Sequence, residues 1–309
     1  ASKLRTFFTI TLPGARYGLI SATIVVFILI FTDFGVPKVI GGNYNVLATD
    51  IYKEVIGQQN FEMGAVVSVV LLIPAVLAFG IDRFVTRKQT ALLSARAVPY
   101  APKPNRWLDN SMLVFCVVVT ALTIAVLGMA QFAALVKFWP YNLEFTLEHY
   151  AFESEGAGWD NFYNSIVMAG SVAVFGAIVV FTGAFLIDKP RRDHGIRQVF
   201  QFVALLPMAI PGLVLGLAYL FFINDPDNPL EILYGTIVIL VVNCLAHFYT
   251  VAHLTSLTAL KQMDKEFESV SASLKVPLFR SYMRITVPVC MPTILDVSMY
   301  LFLSSMTTV

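Results

Sequence analysis

The sequence predicts an all-α, polytopic membrane protein. Three observations carry that prediction: a shortage of charge, seven long apolar segments, and basic residues confined to alternate loops. Of the 309 residues, 57% are hydrophobic and only 13% charged, whereas a soluble domain carries about 25% charged residues. The mean hydropathy is +0.74. The net charge of +1 says little, because the placement of charge orients a membrane chain and its sum does not.

The apolar segments run over 15–34, 62–82, 111–135, 162–187, 199–223, 231–253 and 289–309. Each is near the roughly 20 residues that a helix needs to cross the hydrocarbon layer. Helix is the expected state, because lipid offers no partner for an unpaired backbone group. Placing residues 1–14 in the cytoplasm puts all of the 21 basic residues inside except Lys38, Lys53 and Lys137, the sidedness that the positive-inside rule selects. The outer loops are acidic, with Glu144, Glu148, Glu153, Glu155, Asp160, Asp225, Asp227 and Glu231. Residues 86–105 combine basic residues with Pro99, Pro102 and Pro104 and read as a stiff cytoplasmic linker. The chain begins without Met and stops inside an apolar run, so a fragment cut at both ends is expected.

One segment recurs. Arg5-Thr6-Phe7-Phe8-Thr9-Ile10-Thr11-Leu12-Pro13 returns in a fixed frame as Arg280-Ser281-Tyr282-Met283-Arg284-Ile285-Thr286-Val287-Pro288. Arg, Ile, Thr and Pro are identical, Phe7 matches Tyr282, and an apolar segment follows each copy. A long-period repeat of this kind predicts two tandem units. The expected division is 1–85 as the end of one unit, 86–105 as the linker, and 106–309 as the start of the second.

The repeated segment resembles the EAA loop of binding-protein-dependent ABC importer permeases: Glu-Ala-Ala, three residues, Gly, then about nine residues to Ile-x-Leu-Pro. The second copy reads Glu268-Ser269-Val270-Ser271-Ala272-Ser273-Leu274-Lys275-Val276-Pro277 and runs on to Ile285-Thr286-Val287-Pro288. Counted back from Ile285, the family's Glu falls on Ser269, its alanines on Val270 and Ser271, and its Gly on Lys275. Lysine disfavours a positive φ, so a differently shaped turn is expected there. Phe34-Gly35-Val36-Pro37, Asn45 to Tyr52, Gly57 to Phe61 and Ser271 to Pro277, with its Lys275, are similar to 2-aminoethylphosphonate permeases, and next to iron(III) permeases.

The resemblance implies a MetI-like permease fold in the bacterial inner membrane and no cofactor. Its implied partners are an ATP-hydrolysing subunit in two copies at the cytoplasmic face, a periplasmic solute-binding protein and the lipid bilayer, with no nucleic acid. In such permeases the loop is a short surface helix that docks in the ATPase. That role falls here on Asp264, Glu266, Glu268, Ser269, Ser271, Leu274, Lys275 and Leu278. The acidic residues stand at the positive end of the helix dipole, and Leu274 and Leu278 are available to an apolar groove. The implied substrate is 2-aminoethylphosphonate, with iron(III) or a polyamine as alternatives.

Candidates for the pathway come from the segments themselves. Pro207, Pro211, Gly212 and Gly216 in one segment predict either a kink lining a pathway or close packing through small residues. Asp33 and Asp296 are the carboxylates placed furthest into segments; Asp33 is near enough to the outer surface to be interfacial, and Asp296 is within reach of a loop partner. Asn243, Ser298, Ser304, Ser305, Thr307 and Thr308 offer a milder polar lining.

No Gly-Lys pair occurs, so no P-loop can form and ATP hydrolysis falls to another chain. His149, His194, His247 and His253 form no metal-ligand pattern, and His247 and His253 are expected to pack at an inner boundary. Cys116, Cys244 and Cys290 read as small core residues. No catalytic or metal-binding residue is therefore expected. A membrane enzyme built on Asp188, Asp193 and His194, or an ion-coupled carrier, is the rival class.

Overall fold

The computed structural model describes residues 3–86, 105–151, 158–189, 194–263 and 265–308. In chain order, α1 (Lys3–Thr6) passes through a π-helical turn (Phe7–Thr11) into α2 (Leu12–Phe31). Then come α3 (Gly35–Ile40), α4 (Leu47–Tyr52) and α5 (Phe61–Thr86). After α6 (Arg106–Ala134) a short antiparallel hairpin pairs β1 (Val136–Phe138) with β2 (Asn142–Phe145). The helices α7 (Trp159–Asp188), α8 (His194–Leu205), α9 (Gly212–Ile223) and α10 (Ile237–Gln262) follow. The last four are α11 (Lys265–Ser273), α12 (Leu278–Ser281), α13 (Val287–Val289) and α14 (Met291–Met306), with a second π turn (Tyr282–Thr286) between α12 and α13.

Among the described residues, α5, α6, α7 and α10 are each long and apolar enough to cross a membrane. Two bent pairs bring the number to six: 195–209 with α9, and 278–289 with α14. The end of α2, Ala22–Phe31, is a further apolar helix. All seven expected segments therefore have a helix or a bent pair, and the protein is all-α and polytopic apart from one small hairpin.

The fifth segment takes the kinked alternative that its prolines offered, and the sixth outruns its expected end. The fifth is no single rod: its halves meet at 109°, and α9 alone, 12 residues long, reaches only about 18 Å. The sixth runs nine residues past its expected end at 253. Thr255, Ser256 and Thr258 there turn their hydroxyls onto the carbonyls of Val251, Ala252 and Leu254 at 2.7–2.9 Å. Each polar side chain is thus satisfied by its own helix, and the helix continues.

The chain divides into two compact units, 1–90 with 165–309, and 91–164. In the first, a core joins Val172, Ala177 and Val180 of α7 to Cys244 and Ala252 of α10 and to Val297 and Leu301 of α14. Small residues make this close approach possible: a Cβ on Gly176 would stand 2.7 Å from Leu301 Cδ1. Another cluster packs Ile28 of α2 and Ala78 of α5 on Leu205 and Ala209 at the bend. Ala48 and Ile51 of α4 with Leu71 of α5 meet Leu213, Val214 and Leu217 of α9. The second unit holds α6, the hairpin and the start of α7, and Cys116 on α6 is exposed rather than buried.

Candidate functional site

The loop between α10 and α14 is a built structure. Its first helix, α11, ends on Lys275 at φ +51°. The Val276 N–H reaches back to the Ser271 carbonyl at 2.9 Å, the six-to-one bond of a Schellman ending, and Pro277 follows to prevent continuation. The expectation of a differently shaped turn is corrected: lysine adopts the left-handed conformation at the place where the family pattern has glycine. The terminal bond and the following proline hold it there against the steric preference of an L-residue.

Pro277 caps α12, its carbonyl accepting from Arg280 N–H at 2.9 Å. The Ser271 and Ser281 hydroxyls lie 3.3 Å apart and tie the two short helices together. A pocket of about 500 Å³ lies between them, bordered by Phe267, Val270, Leu274 and Ile285 with Arg280 and Arg284. Leu274 is 70% exposed, Leu278 57% and Phe279 71%, so the loop presents bulky apolar side chains to its surroundings. Such a patch marks an interaction site more often than an accident. Lys275 stands in the turn and Ser269 on α11. Asp264, and the side chains of Glu266 and Glu268, lie outside the described residues.

The loop is anchored to the spanning helices by a residue that sequence reasoning used only as a match in the repeat. Tyr282 is buried, with its ring 4.6 Å from Phe185 and 6.1 Å from Phe181. Its hydroxyl stands 2.8 Å from Thr182 Oγ1. Nearby, Lys189 Nζ donates to the Leu260 carbonyl at 3.0 Å and faces Asp188 at 3.4 Å. Arg197 donates to the carbonyls of Ile187 and Asp188. These cations complete the C-terminal carbonyls of α7 and α10, so the inner ends of α7, α8 and α10 are cross-braced where the loop attaches.

The bend at 206–211 stands where the prolines predict a break. Pro207 has no N–H to offer the preceding turn, and Thr250 Oγ1 of α10 donates to the Ala204 carbonyl at 2.9 Å. Pro211 then caps α9, and a Cβ on Gly212 would lie 3.5 Å from the His247 ring. Pro207 also lines an apolar cavity of about 650 Å³ with Gly183, Phe200 and Tyr249.

The remaining pathway candidates do not gather at this bend. Ser298 Oγ turns toward the Ala173 carbonyl at 3.4 Å, and Thr307 Oγ1 bonds the Leu303 carbonyl of its own helix at 3.0 Å. Asp296 is exposed, and no salt bridge joins it to a described loop residue. Asp33 accepts from Gly35 N–H at 3.2 Å at the start of α3, a local turn contact. His253 is wholly buried and stacks on Tyr249, and both it and His247 sit within α10. Asn243, His247, Thr250 and His253 fall on one helical face by their spacing, a signal present in the sequence. Among the described residues, buried side-chain atoms of Asn243, His247, His253 and Ser305 find no hydrogen-bond partner.

No family model matches the chain. Its whole length aligns at 27% identity with the "Ferric transport system permease protein FbpB" of Actinobacillus pleuropneumoniae, covering 45% of that protein. The "Putative ferric transport system permease protein FbpB 1" of Haemophilus influenzae aligns equally, with 49% covered. The chain resembles transport-system permeases from end to end. It spans about half the length of these relatives. A shorter match, 48% of the chain at 27% identity, is to the "Putative 2-aminoethylphosphonate transport system permease protein PhnV" of Salmonella typhi. With its apolar helices, this places the chain as a multi-pass protein of the bacterial inner membrane.

Proposed function

We propose that this chain is part of the membrane permease of an ATP-driven, binding-protein-dependent importer that carries a small solute from periplasm to cytoplasm. The observation that carries the reading is the loop of α11 and α12, a braced helix-turn-helix that exposes Leu274, Leu278 and Phe279. It is tied into α7 through Tyr282. A partner that grips this loop moves the spanning helices with it. That partner is an ATPase subunit, expected in two copies, with a solute-binding protein on the outer side. The reaction belongs to the ATPase, so this chain is no enzyme of its own.

The tandem organisation, 1–85 and 106–309 joined by 86–105, is supported by the repeat. Both copies adopt the same succession of a four-residue helix and a π turn, in register with the sequence match. The broken span at Pro207, Pro211 and Gly212 supports a pathway beside it, with His247 and Asn243 of α10 as polar lining. Both ferric permeases match the whole chain and the phosphonate permeases about half. That weights the substrate toward iron(III), ahead of 2-aminoethylphosphonate.

The test is Leu274→Asp in the assembled transporter in vesicles. Loss of an apolar interface anchor costs about 2 kcal/mol or more, so substrate-stimulated ATP hydrolysis should fall by about thirtyfold at limiting ATPase subunit. Membrane insertion should be unchanged. Normal stimulation would remove the coupling role from this loop.

A further inference from the structure

The hairpin after α6 carries a face that the importer reading leaves unused. Along β1 and β2 successive side chains point to opposite sides. Val136 lies opposite Phe145, with a register irregularity before the Phe138–Asn142 pair, and on the other face Lys137 Nζ meets Glu144 Oε2 at 2.8 Å. The aromatic side is extensive. Phe132, in the last turn of α6, makes edge contacts with Trp139 at 5.9 Å and Phe145 at 6.3 Å. Phe138 stacks on Tyr141 at 5.8 Å, and all four hairpin rings are exposed.

The position of these rings is set by α6. From Trp107 to Phe132 the helix is about 37 Å long. The hydrocarbon layer is about 30 Å thick, and the bilayer with its headgroups about 40–45 Å. A helix of that length carries Trp107 into one headgroup layer and the Phe132 cluster into the other. Arg106 beside Trp107 assigns the first of these to the inner side.

Water and hydrocarbon are both poor surroundings for this hairpin. In water it would expose the large aromatic side chains of Phe138, Trp139, Tyr141 and Phe145. In hydrocarbon it would bury Lys137, Glu144 and Glu148 at several kcal/mol each, on the order of the insertion cost of a charge. The headgroup layer suits both faces, and aromatic rings concentrate there.

We propose that residues 132–145 form an anchor in the outer-leaflet headgroup layer, with Phe132, Phe138, Trp139, Tyr141 and Phe145 in contact with phospholipid. The anchor fixes the depth of α6 and does not depend on which solute is carried.

The experiment uses the full transporter in phosphatidylcholine vesicles, with every tryptophan except Trp139 replaced by Phe. Lipid brominated near the glycerol end of the acyl chain should quench Trp139 about twofold more strongly than lipid brominated near mid-chain. Aqueous iodide should quench it weakly. Strong iodide quenching without lipid quenching puts the hairpin in water and overturns the proposal. Weak quenching by both means that a protein covers the rings, which also overturns it, as does stronger quenching by the mid-chain bromine. A second variant, Trp139→Phe with Tyr141→Trp, keeps the ring contacts and should report the same depth.

Discussion

Lys275 offers a sharp test, because a single backbone angle decides the shape of the loop. At φ +51° an L-residue costs about 1–2 kcal/mol relative to its preferred region, whereas glycine is at ease. Glycine returns about 0.5–1 kcal/mol of that through the greater freedom of the unfolded chain. Lys275→Gly should therefore stabilise the turn by about 0.5 kcal/mol. Lys275→Val places a β-branched residue where it fits worst and should destabilise the turn by about 1–2 kcal/mol. The side chain is exposed and makes no hydrogen bond or salt bridge with another described residue, so the backbone term stands nearly alone. The reporter is the Val276 amide, bonded to the Ser271 carbonyl, read by hydrogen exchange of a peptide covering 270–280. One factor of ten in exchange corresponds to about 1.4 kcal/mol of local opening. Valine should speed exchange by about five- to thirtyfold, and glycine should slow it about twofold. Equal exchange in all three proteins would mean that residue 275 is not left-handed in solution.

Tyr282→Ala removes a buried ring, for which about 3–5 kcal/mol is expected. Tyr282→Phe keeps the ring contacts and loses about 1 kcal/mol with the Thr182 hydrogen bond. Unfolding in detergent by denaturant should rank wild type, Phe and Ala in that order, with Phe7→Ala milder than Tyr282→Ala. In the outer hairpin, the Lys137 ammonium holds the Glu144 carboxyl below its ordinary pKa, and Glu144 raises that of Lys137. The pair's contribution is full above the ordinary carboxylate pKa and is lost as pH falls through the lowered value. At the alkaline end it is full below the ordinary lysine pKa and is lost as pH rises through the raised one. Carboxyl ¹³C NMR, with Glu144→Gln assigning the resonance, should show the acid midpoint below that of an exposed glutamate; a midpoint at the ordinary value would refute the pairing.

Much of the architecture was legible because lipid removes alternatives: an apolar run of about 20 residues has few options besides helix. The break in the fifth segment was legible for a local reason, the missing N–H of Pro207 and Pro211. The length of α10 was not, because Thr255, Ser256 and Thr258 look like a polar exit until their hydroxyls are seen on their own carbonyls. The hairpin was hidden in an acidic loop by its brevity, although Val136-Lys137-Phe138 and Asn142-Leu143-Glu144-Phe145 do alternate. Of the loop between α10 and α14, the short helix and its apolar residues were readable. The lysine conformation was not, since the preference of one residue yields to a closed turn around it.

The repeat separates what a short sequence encodes from what its surroundings add. Pro13 and Pro288 stand at the same place in the two copies, each two residues after a π turn. In each the turn is closed by the residue before proline, Leu12 N–H to the Phe7 carbonyl and Val287 N–H to the Tyr282 carbonyl. Proline offers no N–H and crowds the carbonyl four residues back, so a widened turn ahead of it relieves both copies in the same way. Packing then diverges. Phe7 is 46% exposed and Tyr282 only 8%, because Phe181 and Phe185 of α7 close over the second and no described residue does the same for the first. The turn is thus a local consequence of proline, while the bracing of the loop belongs to the contact between Tyr282 and α7. Of the two copies, the second is the one anchored on a long apolar helix.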